Sequence, residues 1–152
     1  MARAQCIVHN TNRVLMLRQK YSKDGHEFWC LPGGTIEEGE TPAEAAIREL
    51  KEECCVDGII IQETSVVIYP SNVKNYTFLI DIGNQKPVLG TDPDYSRDDQ
   101  HLVELKWLTL SEIPERDRAY LWAAGLRSLE EFRAELLSWG DNISYPQQEN
   151  GK

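Results

Sequence analysis

The sequence predicts one domain of mixed α/β (α+β) class, on three observations. Apolar, β-branched-rich runs separated by turn-forming residues recur up to about Leu110. One helix start, at Thr41-Pro42-Ala43-Glu44, carries several capping signals at once. Beyond it, two late segments place apolar residues at helical spacing. A length of 152 residues suits a single core.

The first two runs, Ala4 to His9 and Arg13 to Arg18, are split by the turn residues Asn10-Thr11-Asn12 and read as strands. After a polar loop from Ser22 to His26, Phe28-Trp29-Cys30-Leu31 reads as a short strand that ends in a glycine loop at Pro32-Gly33-Gly34. Thr41 offers an N-cap hydroxyl, Pro42 sits at N1 and Glu44 completes a capping box, so a helix runs from about Pro42 to Cys54.

Gly58 to Tyr69, Asn75 to Ile82 and His101 to Leu108 read as further strands, the first long enough to contain a bulge. Ser111 to Ile113 opens a helical turn. Arg118 to Gly125 and Ser128 to Trp139 read as core-packing helices, with Leu129, Phe132, Leu136 and Leu137 on one stripe of the second. The domain therefore spans residues 1–139, and residues 140–152 form a flexible polar tail with almost nothing to bury.

Twenty-five acidic against 16 basic residues leave a net charge of -9, which opposes the phosphate-neutralising surface that polymeric nucleic acid demands. Small anionic substrates stay open if a cation mediates. Cys6, Cys30, Cys54 and Cys55 lack zinc-site spacing, and the adjacent pair cannot close an unstrained disulfide, so free thiols are expected. No window approaches the roughly 18 apolar residues of a membrane span, and the first residues carry no apolar leader. No membrane association and a cytoplasmic location are expected.

At 100° per residue, Glu49, Glu52 and Glu53 fall within about 100° of arc, beside a stripe of Ala43, Ala46, Ile47, Leu50 and Cys54. A helix that buries the stripe presents the three carboxylates as one acidic patch at its edge. Lys51 lies on the far side, so the patch wants another cation. Oxygen donors without histidine or thiolate favour Mg²⁺, with Mn²⁺ as a substitute, and Mg²⁺ held this way completes its shell with water and substrate phosphate. The bland alternative is a solvated acidic helix face.

Gly34, Glu40, Arg48, Glu49, Leu50, Glu52, Glu53 and Val56 match the Nudix box, G-x5-E-x7-R-E-U-x-E-E-x-G-U with U aliphatic, at every position but one. Cys55 stands where the family has glycine, a position that usually leaves the helix with positive φ. Either Cys55 is strained or the helix stop moves towards Asp57-Gly58. Trp29 to Gly34 is similar to the family's approach to the box and Glu104 to Trp107 to its late strand, so the chain resembles Nudix (MutT-like) hydrolases over roughly Ala4 to Leu110.

That resemblance implies an α/β/α sandwich with a mixed sheet and a loop-helix-loop box. It implies a metal-dependent pyrophosphatase acting on a nucleotide: hydrolysis of a nucleoside diphosphate linked to another moiety, as in a nucleoside triphosphate, a nucleotide sugar such as ADP-ribose or a dinucleoside polyphosphate. Glu49, Glu52 and Glu53 would bind the metal with the Gly34 carbonyl, and Gly33 and Gly34 would border the substrate. The general base is Glu53 or Glu104, with Glu53 preferred and Glu104 alternatively an exposed strand charge. Arg48 would brace the loop through Glu40 or Glu44, and Arg18, with Lys20, would meet substrate phosphate or simply face solvent.

The long stretch Gly83 to Gln100, with Asp92, Asp94, Tyr95, Arg97, Asp98 and Asp99, is expected to border the pocket. Phe28, Tyr69 and Tyr76 are candidates for facing a nucleobase or for packing. Trp122, Leu126 and Trp139 are read as anchors of a homodimer or as core. A non-catalytic nucleotide-sensing or protein-binding module is the rival class.

Overall fold

A computed structural model of the protein describes residues 1–21, 24–91 and 101–139. Part of the Ser22 to His26 loop, the acidic stretch with Tyr95 and Arg97, and the expected tail at 140–152 lie outside the described residues. The elements are β1 (Ala2–Ile7), β2 (His9–Asn10), β3 (Arg13–Lys20), β4 (Glu27–Cys30), β5 (Gly33–Thr35), α1 (Pro42–Cys54), β6 (Ile59–Ile68), β7 (Lys74–Asp81), β8 (Leu102–Thr109), α2 (Glu115–Ala123) and α3 (Glu130–Ser138). Short 3-10 turns cover Leu110–Glu112 and Leu126–Ser128.

Two sheets are built among the described residues. One is mixed, in the order β5-β1-β7-β6, with β1 and β7 parallel and the other pairs antiparallel. In the other, β3 pairs antiparallel with β2, β4 and β8. The bulge expected in β6 is present twice, as register shifts between Ile60 and Gln62 and between Glu63 and Ser65.

Alternation sorts the core into two clusters. Ala4, Cys6, Val8, Leu15 and Leu17 pack with Ala45, Ala46, Leu50 and Cys54 of α1. Ile7, Val14 and Met16 pack instead with Leu121 and Trp122 of α2 and with Phe132 and Leu136 of α3. Strand β3 is thus buried on both faces between helices, the α/β/α sandwich of a mixed α/β fold. Trp122 and Leu126 are buried in the second cluster as core, and the partly buried Trp139 packs against it. Leu137 departs from the expected stripe: it is 76% exposed, whereas Leu136 is 5% exposed. The helix is short, and neighbours 100° apart cannot both face one contact line.

Gly33 and Gly34 do not form a loop. They lie in β5, antiparallel to β1, with Gly34 opposite Ala4 and Gly33 opposite Gln5. A Cβ at Gly33 would stand 2.5 Å from the Ala4 carbonyl oxygen, so glycine is needed for close approach rather than for turning. No described helix is long and apolar enough to cross a membrane.

Candidate active site

Helix α1 starts as its sequence demands. The Thr41 hydroxyl accepts from the Glu44 N–H at 3.1 Å and the Glu44 carboxylate accepts from the Thr41 N–H at 3.0 Å, a complete capping box. It stops at Cys55, which takes the left-handed conformation, φ 58° and ψ 33°, with its N–H donating to the Lys51 carbonyl at 3.0 Å. The strained alternative is therefore the one adopted, at a cost of about 1–2 kcal/mol for a residue with a β-carbon. Lys51 pairs with Asp57, away from the glutamates.

The three glutamates differ in exposure and in partners. Glu53 is only 4% exposed and accepts the Gly33 N–H at 2.8 Å. Burial, followed by the Glu53 charge, pushes the thiols of Cys6, Cys30 and Cys54 above their usual range. Glu49 lies against β5, close enough that a Cβ on Gly34 would stand 2.3 Å from its Oε1. Glu52 shares Arg48 with Glu49.

Arg48 is the cation of this cluster. Its Nε and Nη2 donate to the two Glu40 oxygens at 2.6 and 3.0 Å, and Nη2 also donates to the Thr35 carbonyl at 3.0 Å. Its Nη1 reaches Glu49 at 3.0 Å and Glu52 at 3.3 Å. The fork ties the loop after β5 to the helix, the brace expected of Arg48, with Glu40 as partner because Glu44 serves the cap. Hydrogen bonding to Arg48 lowers the Glu40 carboxyl below its usual value, and Glu40 in turn raises the guanidinium. Among the described residues, no group of three or more His, Cys, Asp or Glu is gathered closely enough to hold a metal. Glu49 and Glu52 both turn towards the Arg48 guanidinium. The donor set nevertheless fits a hard divalent cation: all donors are oxygens, and the missing β-carbon of Gly34 leaves Glu49 its place.

Arg18 and Glu104 are brought together, but with each other. They face across β3 and β8, where Nε of Arg18 donates to Glu104 at 3.0 Å; Arg18 also pairs with Glu27, and Lys106 pairs with Glu104 at 3.0 Å. Lys106 and Arg18 lower the Glu104 carboxyl below its usual value.

One strand over from Gly33, a cavity of about 360 Å³ is lined by Arg3, Gln5, Gln19, Lys20, Tyr21, Phe28, Cys30, Leu31 and His101. Phe28 and Lys20 were candidates from the sequence; Arg18 and Glu104 do not line it. Of the other aromatic candidates, Tyr76 packs on the core and Tyr69 is raised by burial and by Tyr120. Arg3, Gln5, Gln19, Tyr21 and His101 were missed, although alternation in the first strand already sends Arg3 and Gln5 to the face opposite Ala4 and Cys6.

A family model described as NUDIX domain matches residues 1–129. The chain belongs to the Nudix family. This Nudix chain is 44% identical over 57 residues to dihydroneopterin triphosphate diphosphatase of Escherichia coli K12, covering 38% of the chain and 36% of that protein. The namesake from Haemophilus influenzae is 46% identical over 63 residues, 41% of the chain and 36% of the relative. The match thus spans about a third of the length of these curated relatives. Among solved structures, the MutT NUDIX hydrolase of Burkholderia pseudomallei superposes with a TM-score of 0.66 at 20% identity, over 84% of this chain and 97% of that one. The Ap4A hydrolase binary complex of C. elegans gives 0.63 at 21%, over 90% and 98%. At such identities the two structures establish the fold alone.

Proposed function

We propose that the protein is a metal-dependent hydrolase that cleaves the pyrophosphate bond of a nucleoside diphosphate linked to another moiety, with a single nucleoside triphosphate or related small nucleotide favoured over a nucleotide sugar or a dinucleoside polyphosphate. One observation carries the reading: α1 sets Glu53 on the Gly33 N–H and Glu49 against Gly34, one strand from a cavity with Arg3 and Lys20 in its wall. In a chain of net charge -9, cations beside an acidic helix suit a phosphorylated ligand. Relatives named for dihydroneopterin triphosphate are consistent with a P–O–P bond in a triphosphate as the target.

Glu49, Glu52 and Glu53, with the Gly34 carbonyl, would hold Mg²⁺, or Mn²⁺ in its place. When bound, the ion neutralises phosphate oxygens and acidifies an attacking water. The remaining work falls to the chain. Arg48 keeps the loop and helix in register, Arg3 and Lys20 meet phosphate charge, and Tyr21 and Phe28 flank a planar base. Glu53 is the preferred general base, because Glu104 is neutralised by two cations and holds a proton poorly.

Turnover of a nucleotide panel with Mg²⁺ or Mn²⁺ tests the proposal. Glu53→Gln and Glu52→Gln should lower kcat by about 10²–10⁴-fold. Equal rates in the parent and both variants would refute it.

A further inference from the structure

The last turn of α1 is held from outside by a segment that the box motif does not include. After β7 the chain runs back across the helix end. Gln85 closes a two-bond clasp on Asp57, its Oε1 accepting the Asp57 N–H at 2.9 Å and its Nε2 donating to the Asp57 carbonyl at 2.7 Å. Further on, the Val88 N–H donates to the Cys54 carbonyl at 3.0 Å and the Gly90 N–H to the Glu53 carbonyl at 2.8 Å.

A helix leaves its last carbonyls without intrahelical partners, and a glycine just past the end commonly lets the chain fold back to satisfy them. Here Cys55 occupies that position in a left-handed conformation, and two of the carbonyls are satisfied by the returning segment instead. The approach is close. A Cβ at Gly90 would stand 1.9 Å from the Glu52 carbonyl oxygen and 3.0 and 3.2 Å from the carbonyl carbons of Glu52 and Glu53. These are backbone atoms and cannot swing aside. The contact is made to the two residues whose side chains the proposed chemistry needs.

We propose that residues 85–90 form a strap that positions Glu52 and Glu53, with Gln85 and Gly90 as its determinants. By gripping the backbone of the last turn, the strap sets where the two carboxylates stand against Gly33 and Gly34. This rests on the metal-dependent reading above, so the experiment uses the full chain and reads metal binding separately from turnover.

Free Mn²⁺ is followed by electron paramagnetic resonance, alongside kinetics over a Mn²⁺ series. In Gly90→Ala, Mn²⁺ affinity and kcat fall about tenfold or more while nucleotide KM stays within about twofold. Gln85→Ala, which introduces no clash, shows the same pattern at about three- to tenfold and carries the test if Gly90→Ala folds poorly. If the melting temperature falls but Mn²⁺ affinity and metal dependence match the parent, the strap is structural only and the proposal is overturned. A parent that binds Mn²⁺ no better than both variants overturns the strap and leaves the metal reading standing. A parent that binds no Mn²⁺ removes that reading and the strap together.

Discussion

Gly34→Ala and Gly33→Ala place the same methyl group on neighbouring residues of β5, and the structure predicts opposite consequences. A Cβ on Gly34 meets Glu49 Oε1 at 2.3 Å, Cδ at 2.4 Å and Oε2 at 2.7 Å. Ordinary contact begins at 3.4 Å, so the carboxylate must retreat by about 1 Å. It is the far end of a flexible side chain and can do so, at about 1 kcal/mol for an off-rotamer torsion. A misplacement of about 1 Å at a reacting site costs about 10²-fold in rate, so Gly34→Ala should keep its fold and lose most of its turnover. On Gly33 the same Cβ meets the Ala4 carbonyl oxygen at 2.5 Å and Gln5 Cα at 2.8 Å, which belong to the β1 ladder. That clash is relieved only by moving strands, at about 1–3 kcal/mol or more, with a melting temperature lowered by about 2–4 °C per kcal/mol. Neither glycine has a positive φ, so backbone conformation does not confound the pair. Thermal melts and metal-dependent kinetics on both variants decide it. Parent-like kinetics in Gly34→Ala would refute the placement of Glu49 at the reacting centre.

Two further outcomes follow from the structure. Because Arg48 holds the Glu40 carboxyl below its usual 4.5, the pair contributes stability that is present above that pH and lost as pH falls through the depressed folded value. The stability gap between parent and Glu40→Gln, read by urea melts across pH, should therefore be widest near neutrality and close in acid; a gap that persists in acid contradicts the pairing. In α3, Leu136→Ala should cost about 2–4 kcal/mol, whereas exposed Leu137→Ala should stay within about 0.5 kcal/mol. Equal losses in denaturant melts would mean that the helix is rotated from the orientation described.

Local signals were legible where local chemistry decides. Thr41, Pro42 and Glu44 specify the start of α1 through contacts made within one turn, and its observed span matches the expectation. The long β6 was readable as bulged because its run exceeds what one regular pairing sustains. Gly33 and Gly34 signal either a turn or a close approach, and only the pairing with β1 tells the two apart. The burial of the acidic residues was not legible in the same way. Periodicity sets angles around α1, but the depth of Glu53 follows from how β5 and β1 close over the helix.

The box, the helix that carries it and the carboxylate chemistry it offers are written in local residue order, because residues three and four apart on a helix converge whatever surrounds them. Tertiary structure decided which partners those groups meet. It paired Arg18 with Glu104 away from the cavity, brought Arg3 and Gln5 to the cavity wall and laid Gln85 and Gly90 across the helix end. Each of these depends on strand order and register, which couple residues dozens of positions apart through backbone pairing that no local pattern encodes.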